Sequence, residues 1–177
     1  EKSNQPFFIK NCILICNGEI YNWKELFNIL NIQSETGSDC EIIIHLYKKY
    51  GIEYTLQVLD GVFAFMLFDI DSKDIYIARD TYGIRPLFYG KQGSWPSSFY
   101  FASELKQLTH LVKNKINQFP PGTYSKFNGL NGTYVNEFNH KLFSSPNSFF
   151  NSSIITKELA YSIISSSLED AVRKRID

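Results

Sequence analysis

The chain alternates short apolar runs with polar breaks, and the runs are of two kinds. Cys12-Ile13-Leu14-Ile15-Cys16 and the stretch 62–68 are continuous and rich in branched or compact residues. Both predict buried strands, and in the second the unbroken apolar character implies that both faces of its sheet are covered. Leu26, Phe27 and Leu30 fall instead at helical spacing and predict a short amphipathic helix over 23–30, with Asn22 as its cap. Cys40, Ile43, Ile44 and Tyr47 mark a second helical face. The Ser38-x-x-Glu41 pattern has the form of a capping box at its start, and Gly51 is placed to end it in a left-handed cap. After the polar turn 69–74, the run 75–78 predicts a hairpin with the 62–68 strand, and 86–89 and 99–102 are expected as its neighbours. Ser103-Glu104 opens a short helical stretch to about residue 111, and 119–124 reads as a turn feeding a further strand.

Towards the C-terminus the pattern changes. From about 125 to 153 the composition shifts to Asn, Ser and Phe, which predicts a loop-rich connector. Its two glycosylation sequons, at Asn131 and Asn151, read as chance matches. From about Thr156, Leu159, Ile163, Ile164, Leu168, Ala171 and Val172 predict a long helix, with Arg173, Lys174 and Arg175 favourably placed at its C-terminal end.

Length and composition narrow the class. The 177 residues suffice for one domain with a sizeable core plus part of a second element. With 18 basic against 18 acidic residues the chain offers no field for nucleic acid or anionic lipid, and its longest apolar runs are too short to cross a bilayer. Three cysteines scattered among apolar neighbours read as reduced core residues, and these residues contain no signal-peptide pattern, so a cytosolic location is expected. His45, His110 and His140 lack metal-ligand spacing, and no metal site is expected.

The chemistry concentrates at Asn17-Gly18-Glu19-Ile20-Tyr21-Asn22, expected to emerge where the first strand ends. A carboxamide beside a side-chain-free residue sets an NH2 donor next to an unshielded backbone N–H, the pairing an oxyanion hole needs, although Asn-Gly alone also reads as a turn. Asp39 stands in the first turn of the second helix, where a carboxylate complements the helix dipole. Arg79-Asp80 reads as a structural pair locking a loop through charge-assisted hydrogen bonds, and Arg85 stays uncommitted.

Taken in order, the hexapeptide, Gly37-Ser38-Asp39-Cys40-Glu41, Leu59-Asp60-Gly61-Val62-Phe63-Ala64-Phe65, Ala78-Arg79-Asp80-Thr81-Tyr82-Gly83-Ile84-Arg85-Pro86-Leu87-Phe88, Ala102-Ser103-Glu104-Leu105-Lys106 and Pro121-Gly122-Thr123-Tyr124 resemble the glutaminase domain of glutamine-dependent asparagine synthetases, within the class II, N-terminal-nucleophile amidotransferases. The resemblance is close from residue 5 to about 124.

The resemblance implies an α+β fold, an αββα sandwich with antiparallel sheets. It divides the chain into a glutaminase domain over 1–125, a connector over 126–155 and, over 156–177, the first helix of an ATP-dependent synthetase domain. It also implies L-glutamine as substrate, with Asn17 and Gly18 as oxyanion donors and Glu19 and Asp39 contacting the amino-acid end of glutamine. In the family the nucleophile is an N-terminal cysteine. Cys12 and Cys16 point to one strand face without a histidine base, and Cys40 lies in an apolar stripe, so none is expected to replace it. The chain is therefore expected to be a piece cut at both ends that releases no ammonia by itself. No cofactor is expected in it, while ATP and magnesium belong to the synthetase domain; the remaining expected partner is that domain, and a homodimer stays open. Another class II amidotransferase, of the glucosamine-phosphate or amidophosphoribosyl type, or a non-catalytic glutamine-binding domain are the alternatives.

Overall fold

The computed structural model describes residues 4–93, 98–113, 115–129, 134–140 (main chain) and 156–176. Strands β1 (Phe7–Ile9) and β2 (Cys12–Ile20) form a tight antiparallel pair, Phe7 opposite Leu14. The second strand does not stop at Cys16 as the polar hexapeptide suggests. It runs through Asn17, Gly18 and Glu19 to Ile20, because the alternation continues: Cys12, Leu14, Cys16 and Ile20 are buried while Ile15, Asn17 and Glu19 are exposed. Helix α1 (Trp23–Leu30) follows within the expected bounds and buries Leu26, Phe27 and Leu30. Asn22 precedes it but makes no side-chain cap. Its carboxamide instead donates to the Val58 carbonyl at 2.8 Å and accepts from the Asp60 N–H at 3.0 Å, clamping a distant turn.

The second helix begins as a 3-10 turn (Asp39–Glu41) that leads into α2 (Ile42–Val58). Half of the expected capping box forms: Ser38 Oγ accepts from the Cys40 N–H at 3.3 Å, but Glu41 turns to the preceding loop instead of back to Ser38. Gly51, at φ 82°, breaks the helix without ending it. A residue with a side chain is strained at that φ, and the helix resumes beyond it because Ile52, Thr55 and Leu56 bury a further turn.

Strands β3 (Gly61–Asp69) and β4 (Asp74–Arg79) make the expected hairpin. Next come β5 (Phe88–Gln92), β6 (Ser98–Ala102), the short helix α3 (Leu105–Leu108), β7 (Ile116–Gln118), β8 (Thr123–Asn128) and β9 (Tyr134–His140). Contrary to expectation, β5 and β6 do not join the hairpin. The six-stranded sheet has the order β1-β2-β3-β4-β8-β9, and a separate three-stranded sheet has the order β6-β5-β7. Strand β9 falls inside the expected connector; it pairs with β8 and extends the larger sheet. The expected sequons at 131–133 and 151–153 lie outside the described residues.

Two apolar layers hold this part of the chain together. Phe63, Phe65 and Leu67 of β3 join Leu14, Ile20, Leu26, Ile43 and Leu46 between the larger sheet and α1/α2. The alternate residues Ala64 and Met66 join Ile77, Tyr89, Phe101 and Phe119 between the two sheets. Gly90 of β5 turns outward against Val112, so the segment after α3 covers the far side of the smaller sheet. The resulting order of helix, sheet, sheet and helix is the expected αββα arrangement.

The described residues 156–176 belong to a second unit. Its helix α4 (Lys157–Ile176) is the long helix anticipated, with Leu159, Ile164, Leu168 and Val172 exposed. No helix among the described residues is long and apolar enough to cross a membrane.

Candidate functional site

The backbone of β2 changes role along its length. Its register with β3 sets Gly18 opposite Phe63. Phe63 directs both of its backbone groups to Asp80, the N–H to Oδ2 at 3.2 Å and the carbonyl to the Asp80 N–H at 2.8 Å. In an antiparallel ladder a residue's two groups point the same way, so Gly18, like Cys16 and Ile20, turns its own away from β3 towards the β1 side. Strand β1 is too short to reach them. The Gln5 carboxamide takes its place at Cys16, accepting from the N–H at 2.6 Å and donating to the carbonyl at 2.9 Å. The Ile20 N–H donates to Asp39 Oδ2 at 2.7 Å, and the Gly18 carbonyl accepts from Cys40 Sγ at 3.8 Å. The Gly18 N–H is left without a partner among the described residues.

Glycine is required there for a second reason. A Cβ on residue 18 would stand 2.4 Å from the Val62 carbonyl oxygen and 2.7 Å from Phe63 Cα. The backbone of β3 fills the space a side chain would need.

The other proposed residues gather round this edge. Asn17 and Glu19 are exposed on the face of β2 opposite the α1/α2 layer. Asn17 Nδ2 donates to Ser103 Oγ, just beyond β6, at 3.3 Å. Behind this contact a cavity of ≈ 480 Å³ opens between the two sheets, lined by Gln5, Ile15, Asn17, Met66, Phe101 and Ser103 among others. Asp39 approaches from the helix layer, with Oδ1 accepting from Ser38 Oγ at 3.3 Å and Oδ2 holding Ile20. Cys40 Sγ also lies 3.7 Å from Asp39 Oδ2. Asn17, Gly18 and Glu19 thus lie in succession on β2, with Asp39 bonded to the next residue, Ile20; of the four, Asn17 lines the cavity. Gln5 and Ser103 were not singled out from the sequence as functional. Nothing in a lone amide or hydroxyl reports a contact made across the fold.

The cysteines are all free and buried. Burial, reinforced by Asp69, pushes the Cys12 thiol up to about 11. The Cys16 thiol is raised by its hydrogen bond with Cys40 and by burial.

Two further polar clusters are structural in their contacts. Arg79 and Asp80, each 2% exposed, grip backbone instead of each other. Arg79 donates to the carbonyls of Arg85, Phe119 and Gly83 at 2.6–2.7 Å, and Asp80 accepts from the N–H groups of Phe63, Tyr82, Ile84 and Arg85. This is the loop-locking role the sequence suggests. Glu35, Glu41 and His45 bring possible metal-ligand atoms within 4.8 Å of one another, a grouping that spacing alone does not reveal. Glu41 is nevertheless already engaged by Ser34 Oγ, Thr36 Oγ1, the N–H groups of Glu35 and Thr36, and His45 Nε2.

Similarity to known proteins identifies the family. The glutamine amidotransferase domain family matches residues 1–110. A probable asparagine synthetase (glutamine-hydrolyzing) of Schizosaccharomyces pombe is 37% identical over 167 residues, covering 93% of this chain and 28% of that protein. The asparagine synthetase (glutamine-hydrolyzing) of Bos taurus is 43% identical over 128 residues, covering 68% of this chain and 22% of its own length. The chain therefore spans about a quarter of the length of these curated relatives. Among solved structures, an allosteric regulatory enzyme of purine biosynthesis superposes with a TM-score of 0.63 at 26% identity, covering 81% of this chain and 32% of that one. The glutamine phosphoribosylpyrophosphate amidotransferase of B. subtilis superposes with a TM-score of 0.61 at 24% identity over the same shares. On the family match, reinforced by this fold, the chain belongs to the class II glutamine amidotransferase domain family.

Proposed function

We propose that this chain is the glutamine-binding part of a glutamine-hydrolysing asparagine synthetase. The observation that carries the reading is the unpaired Gly18 N–H beside the Asn17 carboxamide at the open edge of β2. Hydrolysis of the glutamine side-chain amide passes through a tetrahedral intermediate whose oxygen carries negative charge. Two N–H donors on neighbouring residues of one strand, if aimed at that oxygen, would stabilise the charge with little reorganisation. Asp39, fixed by Ser38 and Ile20, would receive the α-ammonium of glutamine, and exposed Glu19 would share it.

In this chemistry a thiol attacks the amide carbon and ammonia leaves after proton transfer. All three thiols are buried, Cys40 at 2% exposure, and those of Cys12 and Cys16 are raised as well, so none is a good candidate. The reading therefore takes the nucleophile from an N-terminal cysteine outside these 177 residues, and the chain alone releases no ammonia. Ammonia would pass to a synthetase domain in which ATP and magnesium activate aspartate, in the cytosol. The 37–43% identity to proteins named asparagine synthetase favours this acceptor over that of other class II amidotransferases.

The test is a product assay on the full-length protein with glutamine, aspartate, ATP and magnesium. Formation of asparagine and glutamate in equal amounts, slowed by about a hundredfold or more in Asn17→Ala, is expected. Glutamine turnover without asparagine would move the protein to another amidotransferase class, and no turnover would leave a binding domain.

A further inference from the structure

Resting on that reading of the site, we infer that Ser103 is a positioning residue for the oxyanion hole, holding the Asn17 carboxamide in its working orientation from the opposite sheet. Asn17 is an exposed side chain on the face of β2, and its terminal torsion is soft and roughly two-fold, so nothing intrinsic keeps the NH2 group aimed at a substrate. Among the described residues, its side chain hydrogen-bonds to Ser103 alone, Nδ2 donating to Oγ at 3.3 Å. A carboxamide NH2 has two hydrogens. With one committed to Ser103, the plane of the group is fixed and the second hydrogen has a set direction, available for an oxyanion together with the Gly18 N–H.

The anchor is well placed for this work. Ser103 directly follows β6, whose Phe101 packs in the inter-sheet layer against Phe119 and Phe127, so the hydroxyl lies two residues from a packed aromatic anchor. The bond joins residues 86 positions apart and spans the mouth of the cavity between the sheets. Removing the hydroxyl deletes one exposed contact and no core atom. The expected consequence is therefore catalytic, expressed in the transition state, with little effect on glutamine affinity or folding.

The experiment compares Ser103→Ala, Ser103→Thr and Asn17→Ala in the full-length protein by steady-state glutamine hydrolysis and thermal melting. Deleting an oxyanion donor outright lowers kcat by about a hundredfold or more, so loss of its anchor should lower kcat by about tenfold. The expected result is that Ser103→Ala loses about tenfold in kcat, with KM for glutamine changed by less than about twofold and an unchanged melting temperature, while Ser103→Thr recovers most of the rate. The inference is overturned if Ser103→Ala keeps full kcat while Asn17→Ala loses it, since the site reading would then stand with Ser103 idle. It is equally overturned if both Ser103 variants melt early or raise KM together, which marks a packing role. If Asn17→Ala is itself without effect, the oxyanion reading fails and takes Ser103 with it.

Discussion

Asp39 Oδ2 accepts the backbone N–H of Ile20 at 2.7 Å, tying the start of the α2 layer to the unpaired edge of β2 one residue beyond Glu19. The carboxylate thus does two jobs: it closes a ladder position that β1 is too short to close, and it stands as a fixed negative charge beside the proposed glutamine site. Asp39→Asn separates the two, because the amide oxygen can still accept from Ile20 while the charge is gone. A charge-assisted hydrogen bond contributes about 1.5–3 kcal/mol, so KM for glutamine should rise by about 10- to 100-fold in the full-length protein. The melting temperature should move by only a few degrees. A large loss of stability with unchanged KM would show the residue to be purely structural.

Gly18→Ala should damage both folding and activity. The added methyl would lie 2.4 Å from the Val62 carbonyl oxygen, and the neighbour is backbone in the middle of a sheet, which cannot swing aside as a side chain could. Forced insertion into packed structure costs about 1–3 kcal/mol, read as a lower urea midpoint, and here the displaced strand carries the oxyanion donor itself. An alanine variant of native stability would mean that β2 and β3 are further apart than their register implies.

These two sites also show what the sequence could and could not disclose. The apolar stretch 12–16 announces β2, yet the strand continues through Asn17-Gly18-Glu19, because a ladder is made by backbone and one face of this edge is open to solvent. The strands β5 and β6 were legible as local runs, but their sheet was not: pairing is a long-range choice that alternation along one strand does not encode. Strand β9 was hidden by its polar, Asn-rich composition. Asn17, Gly18 and Asp39 stood out because several ordered motifs accompany them, whereas Gln5 and Ser103 act through contacts 11 and 86 positions away.

Arg79→Lys should fail despite keeping the charge. The guanidinium reaches three carbonyls, of Arg85, Phe119 and Gly83, with separate nitrogens, and an ammonium on a flexible stem cannot match that fork. Burial already disfavours the charged form of Arg79, and a lysine would lose part of the compensating bonds. Leaving buried carbonyls unpaired costs about 1–3 kcal/mol each, so a loss of about 2–5 kcal/mol in denaturant unfolding is expected. A lysine variant with unchanged midpoint would show that the loop is held by Asp80 alone.

Glu41 should make folding acid-sensitive in a defined window. The side chain is fully buried, which by itself would raise its pKa. The hydroxyls of Ser34 and Thr36 and the N–H groups of Glu35 and Thr36 outweigh that burial and bring it down from 4.5 to about 2. Between those values the unfolded chain takes up a proton that the folded chain refuses. The contribution is therefore complete above about pH 5 and is lost as the pH falls from about 4.5 towards about 2, on the order of 3 kcal/mol in all. Urea unfolding measured at half-unit steps from pH 6 to pH 2.5 should show stability declining across that range. In Glu41→Gln the decline should be shallower, because the titrating group is gone, but the variant should start about 2–4 kcal/mol lower at pH 7, since an amide NH2 would face hydroxyl and N–H donors that need an acceptor. Parallel pH profiles for the two proteins would place the acid sensitivity elsewhere, with the Asp69 carboxylate, which is also lowered, as the next group to substitute.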